Sequence, residues 1–123
     1  MSKQETIQWL DGQKDRLAAL SDDIWDHPEI GGQETHCSAA LIQALNETGF
    51  TLETGITGIP TAFCGRFGNG RPHIGFLGEF DALPGLSQEA GLAEKKPLVK
   101  EGPGHGCGHN LLGTGAFAAA LGL

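Results

Sequence analysis

Ile74-Gly75-Phe76-Leu77-Gly78-Glu79-Phe80-Asp81 is the stretch on which the fold class turns. Its first half is apolar on both faces, the pattern of a strand buried in the middle of a sheet. Two carboxylates flank Phe80 where the apolar run stops, and strand ends of this kind are where α/β sheets place their sites. Residues 73–80 are therefore expected to form a strand. Upstream, residues 50–53 and 61–67 read as further short strands, and Gly68-Asn69-Gly70 is a strong hairpin signal between residues 61–67 and 73–80. Downstream, residues 81–104 make a loop longer than a compact domain usually carries without a function for it.

Helices flank this β-rich middle. Ser2-Lys3-Gln4-Glu5 has the spacing of a capping box, and Ile7, Leu10, Leu17 and Ile24 follow on one helical face. That helix should end near His27, because Pro28 disfavours helical geometry in the residue before it. A second helix fits residues 35–48, with Ala39, Ile42 and Leu45 inward and Gly49 closing it. The last segment, Leu111-Leu112-Gly113-Thr114-Gly115-Ala116-Phe117-Ala118-Ala119-Ala120-Leu121, is small and apolar all round. A helix of that kind belongs inside a larger protein. It stops at Leu123 with no cap and no covering element, so the chain is expected to be a fragment of something longer.

Composition narrows the function classes. The chain of 123 residues has 20 Gly, 6 Pro and 39% apolar residues, too many apolar ones for a disordered acidic tail. Glycine is concentrated late: residues 1–30 hold only Gly12. Eight Lys plus Arg against 15 Asp plus Glu leave a net charge of −7, which argues against nucleic acid as a partner. No run is long and apolar enough for a membrane helix, so no membrane partner is expected. Three Cys without an export signal do not make a disulfide framework, and a cytoplasmic setting is expected.

Gly104-His105-Gly106-Cys107-Gly108-His109 carries the strongest chemical signal. Metal-type side chains alternate with glycine, and in an extended backbone residues two apart point to one side. Cys107 and His109 can then reach one cation. The loop opens into a helix, whose N-terminal partial charge favours thiolate at Cys107. Thiolate with imidazole suits zinc or another first-row ion. The alternative is a glycine-rich turn with incidental polar residues. Asp81 and Glu79 are the second candidate pair; one carboxylate there can orient a ligand imidazole, or Asp81 can simply start a turn. Cys37 and Cys64 read as core residues, His27 as a helix-end residue, His36 and His73 as surface or packing residues, and Trp9 and Trp25 as packing.

The two motifs together resemble the M20 family of metallopeptidases and amidohydrolases. The resemblance rests on Gly78-Glu79-Phe80-Asp81-Ala82-Leu83-Pro84-Gly85, on Gly104 to Gly113, and on His27-Pro28-Glu29-Ile30-Gly31, and runs from about Trp25 to the end. It implies an α/β fold in which residues 1–123 form the N-terminal part of a three-layer α/β/α zinc-peptidase-like catalytic domain, without the inserted dimerisation domain and the C-terminal half. It implies two divalent ions, Zn or Mn, activating a water against an amide carbonyl. Carried over by position, Cys107 and His109 match metal ligands and Asp81 the carboxylate behind them, while Glu79 stands where other branches carry a ligand His. The implied substrate is a small-molecule amide of an acyl- or aroyl-amino acid, p-aminobenzoyl-glutamate foremost, and the complete enzyme is expected to be a homo- or hetero-oligomer. The fragment alone is expected to be inactive. A stand-alone metal-binding or interaction module, or a functionless truncation product, are the competing readings.

Overall fold

The computed structural model describes residues 2–123. Four helices and one hairpin follow in the order α1 (Lys3–Gly12), α2 (Lys14–Asp26), α3 (Thr35–Glu47), β1 (Thr51–Thr54), β2 (Phe63–Arg66) and α4 (His109–Leu121). Ser2 and Glu5 form the expected capping box, with the Ser2 N–H donating to Glu5 Oε2 at 2.6 Å. The single helix expected up to His27 is broken at Gly12-Gln13. Glycine costs about 1 kcal/mol inside a helix, and α1 buries no residue whose packing would offset that. The Gln13 N–H closes a tight turn onto the Leu10 carbonyl instead, at 2.9 Å. Of the expected apolar face, Ile24 is fully buried and Leu17 packs on the core, whereas Ile7 is exposed.

Helix α2 ends at Asp26 with His27 as its C-cap, one residue before Pro28. Helix α3 begins where the Glu29 carboxylate accepts the N–H groups of His36 and Cys37, at 3.0 and 2.9 Å. Its inward face is Cys37, Ser38, Leu41, Ala44 and Leu45, not Ala39, which is exposed. The face is turned because Cys37 and Ser38 are drawn in by bonds to the His27 and Thr61 carbonyls. The end of α3 is as expected. Gly49 takes φ 85°, its N–H reaches the Asn46 carbonyl and the Phe50 N–H the Leu45 carbonyl. These two bonds complete a Schellman motif.

Strands β1 and β2 pair antiparallel, Thr51 opposite Arg66 and Thr54 opposite Phe63. The hairpin therefore closes over residues 55–62, upstream of Gly68-Asn69-Gly70. Residues 73–80 do not form the expected strand: Leu77 is 96% exposed, and Ile74 and Phe76 are exposed too. A strand apolar on both faces needs neighbours on both sides, and among the described residues none lies beside it. Only its lower end is seated. Phe80 stacks on Phe63 with centroids 5.8 Å apart, and a Cβ on Gly78 would stand 2.9 Å from that of Ala116.

The core lies between α2, α3 and α4: Ile24, Cys37, Leu41, Ala44, Leu45 and Phe117, ringed by Leu17, Leu20, Phe50, Phe63, Phe80 and Leu121. Helix α4 forms where expected, and Gly122 takes its C-cap position. Phe117 is buried, and the helix's exposed apolar side chains are Leu111 and Leu112. The result is a mixed α/β chain with a two-stranded sheet. Among the described residues no helix is long and apolar enough to cross a membrane.

Candidate metal centre

The long loop is held at both ends by backbone bonds. The Ala82 N–H donates to the Glu29 carbonyl at 2.7 Å, and Leu83 and Gly104 exchange two N–H···O bonds at 3.0 Å. These pins bring Asp81 to the mouth of the loop that opens α4. The glycines of that loop have separate causes. A Cβ on Gly104 would overlap the Leu86 carbonyl, and one on Gly106 would stand 2.5 Å from the Leu86 side chain. Gly108 instead has open space around it but takes φ 78°, the left-handed conformation that starts α4.

His109 is the first residue of α4 and the centre of the site. Its Nδ1 lies 2.8 Å from Asp81 Oδ1 and its Nε2 3.3 Å from Glu79 Oε2. Glu79 and Asp81, two residues apart in the chain, both reach this one ring. The ring is largely buried, with 17% of its side chain exposed, while Glu79 is 67% exposed. Metal-type atoms of Glu79, Asp81 and His109 all lie within 4.8 Å of one another.

This donor set fits a divalent ion. Asp81 against Nδ1 fixes the ring and its tautomer, which leaves Nε2 as the nitrogen free to ligate. The 3.3 Å from Nε2 to Glu79 is close to the edge of a tetrahedron built on bonds of about 2.0–2.1 Å. Cys107 stands outside this group. Residues 105–108 close a turn, the Gly108 N–H donating to the His105 carbonyl at 3.1 Å, so the alternation expected of an extended backbone does not apply between Cys107 and His109. The Cys107 thiol is exposed and borders an open depression of about 570 Å³ with Ser21, Trp25, His105 and Asn110.

His105 is the residue that the spacing left unassigned. It is 5% exposed, its Nε2 lies 3.0 Å from the Ile24 carbonyl, and its buried Nδ1 has no partner. Burial pushes its pKa below the ordinary imidazole value, only partly opposed by the Ile24 bond. A neutral ring that donates Nε2–H to Ile24 satisfies this geometry. Asn110 adds a second tie, its amide donating to Ser21 Oγ at 3.1 Å. Asp23, His27 and His36 form a further group of metal-type atoms within 4.8 Å of one another. The signal for it was the Asp23–His27 spacing on one helix face.

No family model matches the chain. Over 112 residues, 91% of the chain, it is 47% identical to a subunit of the p-aminobenzoyl-glutamate hydrolase of Escherichia coli (strain K12), of which the match covers 23%. It is 31% identical to the Xaa-Arg dipeptidase of Homo sapiens over 98% of the chain and 27% of that protein. The corresponding figures for the Xaa-Arg dipeptidase of Mus musculus are 30%, 98% and 26%. The chain thus spans about a quarter of the length of these curated relatives. Over nearly its whole length, the carboxylate pair and the glycine loop included, the chain is thus similar to a hydrolase subunit and to two dipeptidases.

Proposed function

We propose that the chain is part of a metal-dependent amidohydrolase that cleaves the amide of an acyl- or aroyl-amino acid, with p-aminobenzoyl-glutamate as the leading substrate. The observation that carries this is the His109 ring held between Asp81 and Glu79 at the start of α4. The relative named for aminobenzoyl-glutamate hydrolysis supports the substrate, and the dipeptidases support the bond type. Residues 1–123 would form the N-terminal part of a three-layer α/β/α catalytic domain in a cytoplasmic, oligomeric enzyme.

His109 would hold the ion through Nε2, with Cys107 as its other ligand from the glycine loop and Asp81 fixing the ring. A bound Zn or Mn supplies Lewis acidity, polarising the amide carbonyl and acidifying water. The chain's own residues do the positioning: Asp81 keeps the His109 proton on Nδ1, and the His105 and Asn110 ties hold the loop on α2. Glu79 is an exposed carboxylate 3.3 Å from Nε2, on the side of the ring where the ion would sit. A hydrolytic centre needs about three protein ligands per metal, a water and a base, more than Cys107, His109 and Asp81 supply. The 123-residue chain should therefore be inactive alone.

The test is an amide-hydrolysis assay with added zinc and then manganese, on the 123-residue chain and on a full-length protein that contains it. Turnover by the full-length protein only, lost in Cys107→Ala and in His109→Ala, supports the reading. Turnover by the short chain alone, or by full-length variants lacking either side chain, overturns it.

A further inference from the structure

Asp23, His27 and His36 stand apart from the His109 centre and have no part in the proposed reaction. Asp23 lies in the last turn of α2, His27 is its C-cap, and His36 is the second residue of α3. His36 Nε2 lies 2.9 Å from Asp23 Oδ2, and His27 Nδ1 lies 3.3 Å from Asp23 Oδ1 and 2.8 Å from the Asp23 carbonyl. The two imidazoles stack with centroids 3.9 Å apart and planes at 25°. All three side chains keep access to solvent, at 39%, 51% and 43% exposure for Asp23, His27 and His36.

We propose that Asp23, His27 and His36 bind a divalent first-row transition ion of the zinc type, which clips the end of α2 to the start of α3. Three observations converge. One ligand-type atom from each of the three lies within 4.8 Å of the others, and the 3.3 Å from His27 Nδ1 to Asp23 Oδ1 is close to the donor spacing, about 3.3–3.4 Å, that bonds of about 2.0–2.1 Å create around a tetrahedral ion. The donors are preset, because Glu29 fixes the His36 backbone and the Cys37 thiol donates to the His27 carbonyl at 3.2 Å. The chain's net charge of −7 favours a cation.

Two imidazoles with one carboxylate select zinc, nickel or copper over magnesium or calcium, which prefer all-oxygen sites. Three protein donors leave the fourth position to water. The protons are accounted for without an added acid or base. Without the ion, His27 Nδ1 and His36 Nε2 face only acceptors and carry the hydrogen. On binding, each hydrogen moves through solvent to the other nitrogen of its own ring, His27 Nε2 and His36 Nδ1. The freed lone pairs then take the ion.

The experiment is a zinc titration of the 123-residue chain and of its His36→Ala and His27→Asn variants, read by competition with a chromophoric chelator. Imidazole nitrogen NMR is recorded on the parent chain. One zinc equivalent should be lost or weakened at least roughly tenfold in each variant, and should persist in His109→Ala. Zinc should switch the tautomers of His27 and His36, and magnesium at the same concentration should not. Unchanged zinc binding in both folded variants overturns the proposal. So do parent tautomers that zinc leaves in place, an arm that needs no variant to fold. Because His109→Ala is measured alongside, failure of this site is distinguishable from failure of the hydrolytic centre.

Discussion

Asp81→Asn tests the metal centre with the smallest change of shape. In the parent, Asp81 Oδ1 stands 2.8 Å from His109 Nδ1, close enough to hold the ring hydrogen there and leave Nε2 for an ion. Asparagine fills the same space without the charge. If it presents its carbonyl to Nδ1, the tautomer survives and only ligand basicity is lost. If it presents its NH2, Nδ1 must become the acceptor, and the hydrogen moves to Nε2, the nitrogen 3.3 Å from Glu79. Carboxylates behind a metal-bound imidazole are worth about 10–100-fold in metal affinity, or about 1.4–2.7 kcal/mol. The two orientations fall at the two ends of that range. Glu79→Gln is the comparison: Glu79 is 67% exposed, so its loss should weaken binding by less than Asp81→Asn does. The assay is zinc competition against a chromophoric chelator in the His36→Ala background, which removes the surface group from the signal. Zinc affinity of Asp81→Asn within twofold of the parent would refute the orienting role of Asp81.

Gly104→Ala should destabilise the chain by at least about 2 kcal/mol, because its Cβ would meet the Leu86 backbone carbonyl. Gly108→Ala should cost about 1–2 kcal/mol, since its φ of 78° is strained for alanine but space is open; urea midpoints rank the two. For His105, whose pKa burial holds below the ordinary value of 6.5, the unfolded ring takes its proton first as pH falls. Its contribution to stability is present above pH 6.5 and is lost as pH falls through the lower folded value, and His105→Gln should flatten that part of the urea-midpoint profile between about pH 7.5 and 5.5. Burial, reinforced by the Glu29 carboxylate, pushes the Cys37 thiol up to about 12, so iodoacetamide at pH 8 should label exposed Cys107 and spare Cys37 until the chain unfolds, as read by peptide mass spectrometry.

Local signals in the sequence were legible where the chain settles its own hydrogen bonds. Ser2 with Glu5, Pro28 after α2, and Gly49 closing α3 each act within a few residues, and each appears where the pattern put it. Residues 73–80 have the opposite character. Their apolar faces ask for neighbouring strands, and a pattern of that kind records a requirement that distant parts of a chain must meet. Helix α3 departs from its pattern more subtly. Ala39 and Leu45 suit a generic apolar stripe, but the bonds from Cys37 and Ser38 to carbonyls of other segments turned the helix about its axis. At the site, Glu79 and Asp81, two residues apart, do meet at one ring, that of His109. Between Cys107 and His109 the extended backbone that two-residue spacing assumes is missing, because Gly108 adopts φ 78° and its N–H closes a turn back onto His105. Spacing is informative only as far as the backbone conformation it assumes.

Residues 21–30 connect these features physically. Ser21 accepts from Asn110, the Ile24 carbonyl faces His105, and the Glu29 carbonyl accepts from Ala82, so three points along this segment hold the loops that carry His109 and Asp81. From the same segment, Asp23 and His27 meet His36, and the Glu29 carboxylate caps α3. Glu29 thus serves both sides, its carbonyl positioning the Asp81 loop and its side chain positioning His36. Burial would raise its pKa, but the N–H groups of Cys37 and His36 outweigh that and hold the carboxyl below the ordinary range. The charged form is therefore the one built into the fold. Its stabilising contribution is present above the ordinary carboxylate value of 4.5 and is lost as pH falls through the lower folded value. Protonating or removing this one side chain would loosen the start of α3 and, through the backbone it anchors, the loop that presents Asp81.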